Sequence, residues 1–139
     1  MLGIDECLLE TMGLPGVRGA AVVDWTSGLA LGTIGDSPCG DHETTAAEAA
    51  EFARTAAEHP AFAAAEMEAV NEGVEADPAG ALPVEDVLVT SRTGYHLLRF
   101  VETTFDSSLF LYLWLDREQG NLAMARLRLR DLAQRLVLG

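Results

Sequence analysis

The stretch LFLYLWLD, residues 109–116, sets seven apolar side chains in succession before an aspartate. A half-exposed antiparallel strand alternates apolar and polar residues, so a strand made of this stretch must be covered on both faces. The rest of the chain therefore has to supply a layer for each side. Its 139 residues suit a single domain over 1–139. A domain of that size buries roughly 68–70% of its unfolded surface, enough for a core without staples. Hydrophobic residues at 49% and charged residues at 22% exclude wholesale disorder.

The formal net charge is −13, and it is uneven. Residues 36–86 hold 13 acidic side chains against the single Arg54, while residues 87–139 hold seven arginines against five acids. Nucleic acid and anionic membranes are therefore not expected partners, since both call for a concentrated basic patch. The acidic half reads as a solvated face that maintains solubility or, more sharply, as a docking face for a basic partner. No lysine occurs, which removes P-loop and Schiff-base chemistry, and the arginine-only, alanine-rich usage points to a GC-rich host. Cys7 and Cys39 stand too far apart in sequence for a C-x-x-C motif, so neither a disulfide framework nor a zinc knuckle is suggested. With no basic leader and no apolar run near the ~20 residues of a membrane span, a cytoplasmic location is expected.

Along the chain, Ile4, Cys7, Leu8 and Met12 form one helical stripe ended by Gly13. Two apolar runs, 20–25 and 29–33, are joined by Thr26-Ser27-Gly28 as a hairpin. Asp41 is placed to cap an alanine-rich helix running to Glu58; a break is expected near Pro60, then a resumption to Val70 and a polar loop over 71–83. Strands are expected at 84–91, 95–102 and 108–116, with turns at Thr93-Gly94 and at 104–107. Leu122, Ala125, Leu129, Leu132, Ala133 and Leu136 share one face of a closing helix. The order is α-β-β-α-β-β-β-α: an α+β domain whose five-stranded antiparallel sheet carries helices on both faces, with 109–116 near its middle.

Motifs for catalysis are missing from the sequence. His42-Glu43 is followed by Ala46 where H-E-x-x-H needs histidine, and Cys39 with His42 is only a half-site. No G-x-S-x-G occurs. No catalytic residue, metal ligand or cofactor site is assigned. His96 shares a strand face with Leu98 and Phe100 and reads as a packed histidine; Arg99, on the other face with Tyr95, Leu97 and Val101, reads as a paired arginine or an interface anchor. Trp25 and Trp114 read as core or interface aromatics.

The segments LPGVRGAAVVDWTSGLALGTIG and EDVLVTSRTGYHLLRFVETTFDSSLFLYLWLDREQGNLAMARLRLRDLAQRLV, separated by the acidic alanine-rich helix, resemble the roadblock (dynein light chain roadblock-type) family over about 4–138. The resemblance implies a long middle helix on one face of the sheet and the terminal helices on the other. It also implies pairing of subunits through the third strand and middle helix, no enzymatic activity, and partnership in bacteria with small Ras-like GTPases; it points to an actinobacterial member. Pro60 and the long loop before the third strand depart from the family pattern.

The expectation is therefore a non-catalytic, dimeric regulatory or scaffold protein, a partner or modulator of a small Ras-like GTPase. The alternative is a small-ligand sensor domain of a signalling system. Dimer or partner contacts are expected at Glu48, Glu51, Arg54 and Glu58 on the helix, at Val87 and Val89 on an edge strand, and at Arg99.

Overall fold

The computed structural model describes residues 2–62, 84–101 and 108–136. Helix α1 (Ile4–Met12) leads into the hairpin β1 (Val17–Asp24) and β2 (Leu29–Gly35), followed by α2 (His42–Glu58), strands β3 (Asp86–Thr90), β4 (Gly94–Val101) and β5 (Leu109–Asp116), and α3 (Leu122–Arg135). The five strands form one sheet in the order β2-β1-β5-β4-β3, every pairing antiparallel.

LFLYLWLD is the central strand. Residues 109–115 are all buried, and Asp116 emerges half-exposed at the end. Its side chains divide between two cores. Leu109, Leu111, Leu113 and Leu115 meet Cys7 and Leu8 of α1 and Leu129, Leu132 and Ala133 of α3. Phe110, Tyr112 and Trp114 turn to the other face, under Ala46, Ala49, Ala50 and Ala53 of α2. Each large apolar side chain so buried contributes roughly 1.5–3 kcal/mol relative to exposure. The middle helix thus lies on one face and the two terminal helices on the other.

Local chemistry fixes the boundaries. The Asp41 carboxylate accepts the Glu43 N–H at 3.1 Å and the Thr44 hydroxyl at 2.6 Å, satisfying the first turn of α2. That helix stops at Glu58 because His59, which precedes Pro60, is pushed to an extended backbone (φ −71°, ψ 130°). The helix expected to resume after the break does so at Pro60–Phe62; its continuation to Val70, the loop 71–83 and the turn 104–107 lie outside the described residues. Asn121 caps α3 through the Met124 N–H at 3.0 Å. Gly28, at φ 77°, closes the β1–β2 hairpin.

β1 and β2 run longer than the apolar runs alone suggest. β1 starts at Val17, where it pairs with Leu115, and irregularities after Val17 and after Val22 let a glycine-bearing strand keep both partners. β3 is shorter than expected, five residues, and it forms one edge of the sheet; β2 forms the other.

Candidate functional site

α2 packs on the β1–β2 half of its face of the sheet through its alanines. Small side chains allow that close approach; toward β3 the floor stays buried at Leu98 and Phe100, while Val89 is exposed. A groove with a cavity volume of about 320 Å³ results, running between the helix and the β3 edge. Thr45, Glu48, Ala49 and Phe52 form its helical wall, Val89 its strand wall, His96, Leu98 and Tyr112 its floor, and Pro38 and Cys39 one end. Phe52 is the notable wall residue, 59% exposed on a helix whose other apolar residues are all alanines.

The floor carries one polar pair. His96 Nδ1 and the Tyr112 hydroxyl are 2.8 Å apart, and the imidazole lies nearly parallel to the Trp114 indole, 6° between planes with centroids 6.4 Å apart. Burial holds His96 below its ordinary pKa of 6.5 and pushes the Tyr112 phenol well up. On the far side of Trp114 the Arg18 guanidinium stands 3.8 Å from the ring centroid. His96 is thus a packed, neutral histidine, as its strand position suggested.

At the groove end the Cys39 thiol contacts the Thr45 hydroxyl at 3.1 Å and the Asp41 carbonyl at 3.3 Å. Its pKa is lowered, first by Thr45 and then by the Asp41 backbone. Neither neighbour is a base that could accept its proton, so the contacts do not assemble a nucleophile. Cys7 is buried and pushed up to about 11 by that burial. Among the described residues, no group of three or more histidine, cysteine or acidic side chains is placed to hold a metal ion.

The seven residues singled out from sequence divide among three surfaces. Glu48 lines the groove with Val89, and Val87 packs beside them in the α2-side core. Glu51, Arg54 and Glu58 follow the row of Ala47, whose Cα lies near Gly28 of the β1–β2 turn, with Glu51 one turn from Glu48 on the outer surface of α2. Arg54 is tied there, donating to the Trp25 carbonyl at 3.0 Å. Arg99 belongs to the other face of the sheet. Its side chain is 15% exposed, its guanidinium is 3.7 Å from the Glu85 carboxylate, and its Nε is buried with no hydrogen-bond partner among the described residues. Sequence reasoning missed Phe52, Tyr112 and Pro38, and weighed Cys39 only as half of a metal site. Phe52 had a usable signal as the large apolar side chain among alanines and acids.

No family model and no curated protein matches the chain. Solved structures do. A Roadblock/LC7 domain from Streptomyces avermitilis superposes with a TM-score of 0.62 at 16% identity, covering 96% of this chain and 94% of that one. The chain has the Roadblock/LC7 fold. An MglB described as having a tetrameric arrangement gives a TM-score of 0.67 at 18% identity, over 95% of this chain and 83% of that one. The gliding protein MglB from Thermus thermophilus gives 0.61 at 17% identity, over 94% and 83%. In roadblock terms, the groove lies between the middle helix and the third strand. No helix among the described residues is long and apolar enough to cross a membrane.

Proposed function

We propose that this protein is a cytoplasmic, non-catalytic regulatory or scaffold protein that self-associates through α2 and the β3 edge and modulates a small Ras-like GTPase. The observation that carries the reading is the meeting of Phe52 and Val89, both exposed, on one apolar groove beside a strand edge that has no partner strand among the described residues. Such a surface is self-complementary about a two-fold axis: β3 pairs with its copy, and each Phe52 covers the opposite groove. The likeness to MglB structures, one of them with a tetrameric arrangement, supports self-association. The GTPase rests on the roadblock resemblance and on the acidic surface, which suits a partner carrying basic groups.

Affinity capture from host lysate, with the tagged protein and either GDP or a non-hydrolysable GTP analogue, tests this reading. A small GTPase retained with one nucleotide supports it; equal recovery of unrelated proteins in both samples overturns the GTPase assignment. If hydrolysis is stimulated, Arg54→Ala decides the means. An arginine finger loses about 10³-fold in stimulated turnover, whereas repositioning of the GTPase's own groups leaves turnover near its full value.

A second reading, a small-ligand sensor, is favoured by the same groove, whose size and apolar walls around the His96–Tyr112 pair suit a small molecule. A metabolite panel that raises the melting temperature supports it.

A further inference from the structure

The opposite edge of the sheet has the makings of a second binding surface, independent of the α2–β3 reading. β2 reads LALGTIG, without charge or proline; its one irregularity is at Leu31, where the successive β1 residues Val22 and Val23 pair with Gly32 and Ala30. Leu29 is 64% exposed and Leu31 48%. Two backbone groups at its ends are engaged, the Leu29 N–H by the Ser27 hydroxyl at 3.3 Å and the Gly35 carbonyl by His42 Nε2 at 2.9 Å. Between them, from Ala30 to Ile34, the hydrogen bonds among the described residues are those to β1 alone. Outward-facing peptide groups are left on either side of the irregularity at Leu31, flanked by exposed leucine.

The frame around this edge carries acidic side chains on both faces, one on the α1 side and several on the α2 side. α1 crosses β2 so closely that a Cβ on Gly32 would lie 2.7 Å from Ile4 Cγ2, and the exposed Asp5 and Leu9 fall on the flank of α1 away from α3. On the other face, the β2-side flank of α2 carries Glu43, Glu51 and Glu58, with Arg54 already bound to the Trp25 carbonyl. The geometry points to β-strand addition at β2 by an extended segment of another protein that alternates apolar residues with lysine or arginine. Main-chain pairing supplies the register, Leu29 and Leu31 the apolar contact, and the acidic flanks the charge preference. A second copy is the poorer occupant, since it would bring the same acidic flanks against these.

The probe is a synthetic peptide of alternating valine and lysine, titrated into the full chain while amide exchange is followed residue by residue. Binding should slow exchange at outward-facing amides between Ala30 and Ile34. Leu31→Lys should weaken binding by about tenfold or more, whereas Leu127→Lys, the same change at an exposed leucine on α3, should leave it unaltered. Glu51→Lys should weaken it too, which keeps the test sound if Leu31→Lys fails to fold. Any of three results overturns the proposal: no protection of 30–34, equal binding of a valine–glutamate peptide, or protection that rises with protein concentration without peptide. The last would make a second copy the occupant. None of these readouts depends on the β3 edge or on a GTPase.

Discussion

His96 is held neutral in the floor of the groove by burial, and that has a pH signature. Because its folded-state pKa lies below the ordinary 6.5, the unfolded chain binds this proton more readily than the native one. Its contribution to stability is therefore present above 6.5 and is lost as pH falls through that value into the depressed range. The melting temperature should drop as pH falls through 6.5, and His96→Gln should flatten that part of the profile. Asp41, lowered by the Thr44 hydroxyl and then the Glu43 N–H, has the acid-side sign as well, but its loss begins below the ordinary carboxylate value of 3.8, a separate window. A pH profile equally steep in His96→Gln would show that the His96–Tyr112 pair is not the titrating element. At this scale the sequence was informative about environment and silent about company. The alternation in β4 put His96 with Leu98 and Phe100, but Tyr112 reaches it from a strand 16 residues away, and no local spacing announces that bond.

Whole elements were the legible part, because each carries its own start, stop and face. Asp41 and Pro60 bracket α2 by hydrogen-bonding chemistry and steric exclusion, and the two-sided apolarity of 109–115 forces β5 to the sheet centre. What the helix sequence could not say is which flank meets which neighbour. Helical phase places Glu48 and Glu51 one turn apart on the outer surface of α2, yet only the sheet order shows that Glu48 leans to the β3 groove and the Ala47 row to the β2 side. The same packing makes two mutational expectations of opposite kind. Leu113→Ala empties a fully buried site in β5 and should cost about 2–5 kcal/mol in denaturant unfolding. Ala53→Leu adds volume where α2 touches the sheet and should cost about 1–3 kcal/mol by overpacking. If Ala53→Leu were stabilising, α2 would be loosely seated and the alanine stripe would not be what sets its distance from β1. By contrast, the Arg126–Asp86 pair is bidentate but half in solvent, and Arg126→Ala should change stability by less than about 1 kcal/mol.

For the molecule as a whole, the question is how a chain of net charge −13 associates with itself. Two copies repel at long range, so self-association has to come from short-range apolar burial and strand pairing, and added salt should strengthen it by screening the repulsion. The groove supplies the apolar part through Phe52 and Val89, while Glu48 on its wall sets a like-charge limit on how closely copies approach. Phe52→Glu removes the apolar contact and adds to that repulsion at a site where the isolated chain buries little, so monomer stability should hardly change. Sedimentation equilibrium should then show wild type passing from monomer toward dimer as salt rises, and Phe52→Glu remaining monomeric across the same series. Leu31→Glu, on the opposite edge, should associate as wild type does. If Phe52→Glu still dimerises while Leu31→Glu does not, the two edges have exchanged roles: β2 would be the self-pairing edge, and the α2–β3 groove would be left open for a ligand or a partner.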